Sequence, residues 1–138
     1  MEDFKKIHSF LIKRSYPFPY LNKLIKKNGV QIQKKTDLDL LSFVCKTIVS
    51  QQISNKAAMN IWSNIVELSQ KETLNLGELL VKNKLCNIGI SKQKLSYMKE
   101  FSSVISKGKL VEAELLTLDS HSIKKKLLLL SGVGEWTV

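Results

Sequence analysis

The sequence predicts an all-α protein. Apolar residues recur at intervals of three and four along most of the 138 residues. Residues that favour helix starts, and glycines that favour helix ends, separate these segments. The alternating stretch at 30–33, Val-Gln-Ile-Gln, is too short and isolated to argue for a sheet. With no low-complexity linker, we expect residues 1–138 to form a single domain of short helices joined by short turns.

The first 29 residues predict two helices separated by a break. Apolar residues at helical spacing indicate a helix from Asp3 to Lys13, with Asp3 as its N-cap. Pro17 and Pro19 end this helix, because proline restricts its own backbone conformation and that of the residue before it. A second helix begins near Pro19 and stops at Gly29.

The middle of the chain predicts two longer helices around a polar corner. Thr36 or Asp37 is expected to cap a helix with a wide apolar face, which should lie deep in the core. That helix ends at 50–52, Ser-Gln-Gln, and Ser54 is the candidate N-cap of the next helix. Trp62 lies on the apolar face of this next helix, and we interpret it as a core residue.

Three more helices are expected before the C-terminal stretch. A short one lies within Thr73–Lys84, and a turn follows in which Gly89 suits a left-handed conformation. Ser91 then caps a helix that runs to Ser106. Asp119 or Ser120 caps the last full helix.

The charge balance favours a polyanionic partner. The 22 Lys and Arg against 12 Asp and Glu give a net charge of +10 and a pI of about 9.6, which fit nucleic acid or an anionic membrane surface. Solvated lysine-rich helix faces account for the charge equally well. The N-terminus lacks the apolar core of a signal peptide, and no apolar run is long enough to span a bilayer. We therefore expect a soluble, cytoplasmic protein that does not use a membrane.

The cysteines and histidines do not suggest a metal site or a catalytic group. Cys45 and Cys86 match no zinc or iron–sulfur spacing, and their apolar contexts favour buried, reduced thiols. His8 and His121 have no partners at metal-ligand or catalytic-triad spacing. We interpret both histidines as surface residues.

The clearest candidate for a functional site is the C-terminal stretch 127–138, Leu-Leu-Leu-Leu-Ser-Gly-Val-Gly-Glu-Trp-Thr-Val. Gly132 and Gly134 flank Val133 and permit a tight corner with positive φ. A corner between two helices leaves backbone N–H groups exposed at a helix N-terminus, which is an anion site. In a basic chain the expected anion is a DNA phosphate, held without base contacts. We interpret residues 123–138 as a helical hairpin, the alternative being an ordinary corner that binds nothing.

Three segments together resemble one family. The stretch 130–138, Leu-Ser-Gly-Val-Gly-Glu-Trp-Thr-Val, resembles the helix-hairpin-helix motif of base-excision DNA glycosylases, and more narrowly of the short, single-domain DNA-3-methyladenine glycosylase II type. The stretch 48–58 is similar to that family's Gln-Gln-hydrophobic-Ser-x-Lys-Ala-Ala segment, and 88–94 to its Gly-hydrophobic-Ser-x-x-Lys turn. The segments follow the family's order, and the resemblance covers nearly the whole chain.

The resemblance implies DNA-facing roles. Amides around Gly132 and Gly134 would hold a phosphate beside a damaged nucleotide. Gln52 would wedge into the gap that the flipped nucleotide leaves. Unstacking a base costs a few kcal/mol and costs least for a damaged base, so flipping selects damaged bases. A polar helix end facing water is the other interpretation of the glutamines. The implied DNA-binding residues are Gln51, Gln52, Ser54, Lys56, Ser131, Gly132, Val133, Gly134 and Thr137.

Trp136 narrows the implied chemistry. Bifunctional relatives carry a lysine there that forms a Schiff base, which tryptophan cannot do, so the resemblance implies a monofunctional enzyme. The indole suits stacking on an extruded, positively charged alkylated base. No cofactor is expected beyond a monovalent cation, Na⁺ or K⁺, which the resemblance places on the hairpin carbonyls of Leu128, Leu130 and Gly132.

The resemblance also implies a catalytic carboxylate that residues 1–138 do not supply. The family hydrolyses the N-glycosidic bond with an aspartate a few helical turns beyond the hairpin, and we expect it after Val138. The chain is therefore interpreted as an inactive fragment of a monomeric enzyme that releases alkylated purines, such as 3-methyladenine, from double-stranded DNA. The alternatives are a non-catalytic helix-hairpin-helix DNA-binding module and a basic helical adaptor for other proteins.

Overall fold

The computed structural model describes residues 2–31 and 37–135. These residues form eight helices and contain no strand, which confirms the all-α prediction. The chain divides into two compact units, Met1–Thr36 and Asp37–Val138. The single-domain interpretation of residues 1–138 stays a prediction.

The first unit is a pair of packed helices, α1 (Glu2–Arg14) and α2 (Pro19–Asn28). Pro19 occupies the first turn of α2, where its missing N–H costs no helical hydrogen bond. Gly29 ends α2 with a φ of +64°. Asp3 lies inside α1 rather than at its N-cap, so that prediction is wrong: the helix already includes Glu2.

A buried asparagine fixes the turn between α1 and α2. The Nδ2 of Asn22 donates to the carbonyl oxygen of Ile12 at 2.8 Å and to the Oγ of Ser15 at 3.0 Å. Asn22 and Ser15 are the buried polar residues of the described chain. Their mutual hydrogen bond satisfies groups that would otherwise destabilise the unit on burial.

The second unit is built around α3 (Leu40–Ser50), which packs against α4 (Asn55–Glu72), α5 (Leu76–Val81) and α6 (Lys92–Ser106). Two shorter helices follow, α7 (Glu112–Leu115) and α8 (Ser120–Leu127). The apolar face of α3 lies in the core, as predicted. The largest fully buried side chains are those of Phe101, Ile48, Leu79, Leu80, Leu85, Met98, Val49 and Cys45.

Short polar side chains begin most helices of this unit. Ser54, Ser91 and Asp119 are the N-caps of α4, α6 and α8, which confirms those predictions. The cap of α3 is Asp39, whose carboxylate accepts from the Ser42 N–H at 2.7 Å. The prediction of Asp37 is wrong, because α3 begins only at Leu40 and the cap must directly precede the first helical residue. Thr36, the other residue predicted as this cap, lies outside the described residues.

The short helix within 73–84 starts later than the pattern suggested. Thr73 adopts a left-handed conformation, with φ of 54°, and ends α4. Asn75 then caps α5 through a capping box: its Oδ1 accepts from the Glu78 N–H, and the Glu78 carboxylate accepts from the Asn75 N–H. This arrangement fixes the start of α5 at Leu76.

The two cysteines have different environments. Cys45 is fully buried in α3, and burial raises the pKa of its thiol to about 12. Cys86 is exposed, so the prediction that both thiols are buried is wrong for Cys86. Leu85 occupies the core position in that turn, and its neighbour Cys86 is left at the surface. Both thiols are free, as predicted.

Trp62 is half-buried and packs against the core, as predicted, with the Nζ of Lys46 5.8 Å from its ring centroid. Within the described ranges, no helix is both long and apolar enough to cross a membrane. Those ranges also hold no group of three His, Cys, Asp or Glu side chains placed to bind a metal ion.

Candidate nucleic-acid interface

The corner between α3 and α4 contains a strained residue. Gln51 ends α3 in an extended conformation, and Gln52 follows with a φ of 57°. A left-handed conformation costs a non-glycine residue roughly 1–2 kcal/mol. Gln52 is also exposed, so no burial of its side chain compensates for this cost. Strain of this kind is typical of functional corners.

The hairpin corner follows α8. Gly132 adopts a φ of +80°, and the N–H of Val133 donates to the carbonyl oxygen of Leu130 at 3.2 Å. Gly134 has no positive φ, so the expectation that both glycines need one is wrong. One left-handed residue is sufficient to turn the chain after the helix.

The side chain of Val133 lies in the core, and the DNA contact predicted for this residue stays a prediction. Its side chain is only 8% exposed and belongs to the main hydrophobic cluster. Its N–H donates to the carbonyl oxygen of Leu130. The N–H groups of Gly132 and Gly134 have no hydrogen-bond partner among residues 2–31 and 37–135. Two amides of the corner therefore remain available to an anion.

The corner and the hairpin are joined by a hydrogen bond. The Nε2 of Gln51 donates to the carbonyl oxygen of Gly132 at 2.9 Å. These residues are 81 positions apart in sequence. The bond connects two of the three segments that the sequence singles out.

Lys94, from the third segment, holds the end of α3. Its Nζ donates to the carbonyl oxygens of Val49 and Gln51, each at 2.7 Å. Carbonyls at a helix C-terminus lack intrahelical donors, and a cation there also favours the helix dipole. Partial burial lowers the pKa of the Lys94 ammonium. Its bonds to Val49 and Gln51 make Lys94 a support of the corner rather than a phosphate ligand.

Tyr97 supports the hairpin from beneath. A Cβ added to Gly132 would lie 2.3 Å from Cδ2 of the Tyr97 ring, so the chain passes the ring at a distance that only glycine permits. The Tyr97 hydroxyl accepts from the Nε2 of Gln93 at 2.7 Å. The sequence pattern predicts no role for Gln93, Lys94 or Tyr97. The available signal was their spacing in α6, where residues 93 and 97 share one helix face.

The three segments line one open cleft of about 650 Å³. Its described lining residues supply hydroxyl, amide, ammonium and backbone N–H groups, which can donate hydrogen bonds to an anion. The lining residues are Gln51, Gln52, Ser91, Gln93, Lys94, Tyr97, Gly132, Val133 and Gly134.

The remaining predicted site residues lie in varied settings. The hydroxyl of Ser54 accepts from the Ala57 N–H at 3.2 Å and so acts as a helix cap. Lys56, in the first turn of α4, and Ser131 are exposed. Trp136 and Thr137 lie outside the described residues.

The cation expected on the carbonyls of Leu128, Leu130 and Gly132 stays a prediction. The Leu130 oxygen already accepts from the Val133 N–H, and the Gly132 oxygen accepts from Gln51. A carbonyl oxygen has two lone pairs, so a cation would use the second pair of each.

Comparison with known proteins gives one informative match. No family model matches the chain, and no curated protein matches it. The chain is similar to a crystal structure of a DNA-3-methyladenine glycosidase from Bacillus halodurans, with a TM-score of 0.66 and 26% sequence identity. The match covers 94% of this chain and 59% of that chain. This chain therefore has the all-helical fold of a DNA glycosylase structure over almost all of its length.

Proposed function

We propose that this chain is the DNA-binding and base-flipping part of a monofunctional base-excision DNA glycosylase for alkylated purines of the 3-methyladenine type. The observation that carries the proposal is the hydrogen bond between Gln51 and Gly132, which joins the glutamine corner to the glycine hairpin in one cleft. The similarity to a DNA-3-methyladenine glycosidase structure supports the same function.

In this proposal the hairpin binds the DNA backbone. The N–H groups of Gly132 and Gly134 donate to one phosphate, and neither has a competing partner among the described residues. Such contacts position the DNA without reading its sequence. An enzyme that searches for damage in any sequence needs this property.

Gln52 is the proposed wedge. It is exposed on a strained backbone beside the hairpin cleft, so its amide is available to enter the DNA stack and bond the base left without a partner. Flipping costs a few kcal/mol, and least for a damaged or mismatched base, which provides selectivity.

Trp136 completes the proposal by stacking on the flipped base, a role that comes from the resemblance alone. Its indole cannot form the imine needed for strand cleavage, so the proposed reaction is hydrolysis of the N-glycosidic bond. The resemblance puts the hydrolytic aspartate after Val138, and the described cleft offers no carboxylate. We therefore assign DNA binding and flipping to this chain, and no base release to its described residues.

A flipping assay tests the proposal. A duplex with 2-aminopurine opposite an abasic-site analogue is titrated with the chain, and its fluorescence is expected to rise as the base unstacks. Gln52→Ala is expected to abolish the rise while binding persists. The matched control is Gln70→Ala, at an exposed glutamine of α4. If the parent chain binds the duplex without any fluorescence rise, the base-flipping function is wrong.

The second candidate is a non-catalytic helix-hairpin-helix DNA-binding module. It accounts equally well for the net charge of +10 and for the amides of Gly132 and Gly134, which have no hydrogen-bond partner among the described residues. A module of this kind predicts salt-dependent DNA binding with equal affinity for intact and abasic duplexes. The base-flipping proposal predicts tighter binding to the abasic duplex, because the unstacking cost has already been met.

A further inference from the structure

The positive charge of the chain is concentrated in its N-terminal unit. Residues 1–36 contain nine of the 22 Lys and Arg and two of the 12 Asp and Glu, a net charge of +7. Residues 37–138 contain the other 13 and 10, a net charge of +3. About a quarter of the chain therefore has most of the net charge, although the candidate cleft belongs to the other unit.

Five lysines of α1 and α2 form no ion pair with another described residue. Lys5, Lys13, Lys23, Lys26 and Lys27 are exposed and have no ion-pair partner within the described residues. In the second unit, by contrast, the ammonium groups of two lysines pair with carboxylates: Lys84 with Glu72, and Lys124 with Glu135. The ammonium groups of these five lysines of the first unit thus remain available to an external anion.

One face of this unit combines lysines with an exposed aromatic ring. Tyr16 is 81% exposed and lines an open depression of about 590 Å³ together with Pro19, Asn22, Lys23 and Lys26. Lys23 and Lys26 are one helical turn apart on α2, so both ammonium groups reach the same depression. An aromatic ring beside two ammonium groups fits a base or sugar next to its phosphates.

The scaffold of this face is fixed. Pro19 starts α2, and the buried amide of Asn22 ties the turn to the end of α1 through Ile12 and Ser15. Tyr16 lies in that turn, between the two helices. The backbone that carries Tyr16, Lys23 and Lys26 is therefore held in place before any ligand binds, which reduces the entropy cost of binding.

We propose that the α1–α2 unit is a second nucleic-acid contact, in which Lys23 and Lys26 bind the phosphodiester backbone and Tyr16 stacks on an unpaired base. The inference rests on the proposed function, because that function identifies the polyanion as DNA. An anionic membrane is the competing ligand for a basic helical pair. It fits this depression less well, since a membrane-binding helix buries an apolar face of leucine, phenylalanine or tryptophan and the lining consists of tyrosine, proline, asparagine and lysine.

The salt dependence of DNA binding tests the lysines. The affinity of the full chain for duplex DNA is measured between 50 and 200 mM salt for the parent and for Lys23→Gln/Lys26→Gln. Each lost phosphate contact lowers the log–log slope by about 0.9, so the double variant should lose about 1.8. Lys107→Gln/Lys109→Gln, at exposed lysines of the second unit, is the matched control and should leave the slope almost unchanged.

Tyr16→Ala tests the stacking contact. We expect about tenfold weaker binding to a single-stranded oligonucleotide and little change with intact duplex, because only unpaired bases offer a free face. Circular dichroism of every variant shows whether α1 and α2 remain folded. An equal slope loss in both lysine pairs, or none in the first pair, would overturn the proposal. So would a Tyr16→Ala affinity equal to that of the parent.

Two further readouts separate the possibilities. Binding to phosphatidylserine vesicles that is lost in Lys23→Gln/Lys26→Gln, with an unchanged DNA slope, would assign the unit to membranes and overturn the proposal. Flipping fluorescence separates this inference from the proposed function. A normal signal in the lysine variant, with an unchanged slope, overturns the second contact alone. A reduced slope with no flipping in any variant supports the second contact and contradicts base flipping.

Discussion

The side-chain amide of Gln51 donates a 2.9 Å hydrogen bond to the carbonyl oxygen of Gly132, across 81 positions of sequence. The Nζ of Lys94 in α6 donates a hydrogen bond to the backbone oxygen of Gln51. The backbone of Gln51 is therefore bound to α6, and its side chain is bound to the hairpin. The wedge candidate Gln52 is the next residue. The distance between Gln52 and the amides of Gly132 and Gly134 is therefore set by hydrogen bonds rather than by packing alone.

Breaking the Gln51–Gly132 bond should weaken both stability and DNA binding. We expect Gln51→Ala to lower the free energy of unfolding by about 1 kcal/mol, the usual worth of one partly buried hydrogen bond. Gln51→Glu should cost more at pH 7, because an ionised carboxylate cannot donate and would face a carbonyl oxygen. Urea denaturation measures both variants. Equal stability of parent and Gln51→Glu would contradict the importance of this bond.

The two hairpin glycines should respond differently to alanine. Gly132→Ala adds a Cβ at 2.3 Å from the Tyr97 ring on a residue with φ of +80°, and should destabilise the protein by roughly 2–4 kcal/mol. Gly134→Ala is the control: its Cβ would meet nothing within 4 Å, and its φ is not positive, so we expect a change within about 0.5 kcal/mol. Denaturation midpoints compare the pair. A larger loss at Gly134 would reverse the assignment of the left-handed residue.

Lys94 should support the corner through its two carbonyl bonds. Lys94→Met keeps the aliphatic stem but removes the donors to Val49 and Gln51, so we expect a loss of about 1–3 kcal/mol in unfolding free energy. Flipping fluorescence should fall as well, because the backbone before Gln52 loses its anchor. Lys92→Met, at an exposed lysine of the same helix, is the control and should behave like the parent in both measurements.

The cap of α8 should make stability depend on acid pH. Hydrogen bonds from the Ser122 hydroxyl and N–H and from the His121 N–H lower the pKa of Asp119 from 3.8. For a carboxyl with a depressed folded-state pKa, the stabilisation is present above pH 3.8 and is lost as the pH falls through the folded value. Asp119→Asn retains a capping oxygen but cannot titrate. The melting-temperature difference between parent and Asp119→Asn should be constant near neutrality and change below pH 4. A constant difference down to pH 2 would contradict the depressed pKa.

The two thiols should react at different rates. Cys86 is exposed, whereas Cys45 is fully buried with its pKa raised to about 12. A disulfide reagent at pH 8 should therefore modify one thiol in the native protein and two in denaturant. Cys86→Ser should abolish the native reaction, and Cys45→Ser should leave it unchanged. Native modification in Cys86→Ser would show that α3 opens readily.

Much of the fold was predictable because its signals are local. Caps such as Ser54, Ser91 and Asp119 act on N–H groups two or three residues away. Gly29 ends α2 and Gly89 forms the turn before α6, as predicted, and both have a positive φ. The core face of α3 was likewise readable from helical spacing. Each of these features depends on chemistry within one or two helical turns.

The predictions that were wrong concern positions where two residues close in the sequence are equally suited to one structural role. Asp37 and Asp39 are equally good caps in composition, and Asp39 is the one that caps α3. Leu85 and Cys86 are adjacent apolar residues, and only one of them reaches the core. Gly132 and Gly134 are both glycines, yet only the first turns the chain past Tyr97. A local pattern predicts which type of residue occupies a cap, a core position or a turn. It does not predict which of two neighbouring residues occupies it.

The sequence by itself determined the helical class, the caps of α4, α6 and α8, and the three segments that form the cleft. Only the tertiary structure decided how they connect: Gln51 to Gly132, Lys94 to the end of α3, and Tyr97 beneath the hairpin. These contacts join residues from 35 to 81 positions apart. Hydrogen bonds and close packing act over about 3 Å in space, and no periodicity within a helix encodes which distant residues the folded chain brings that close.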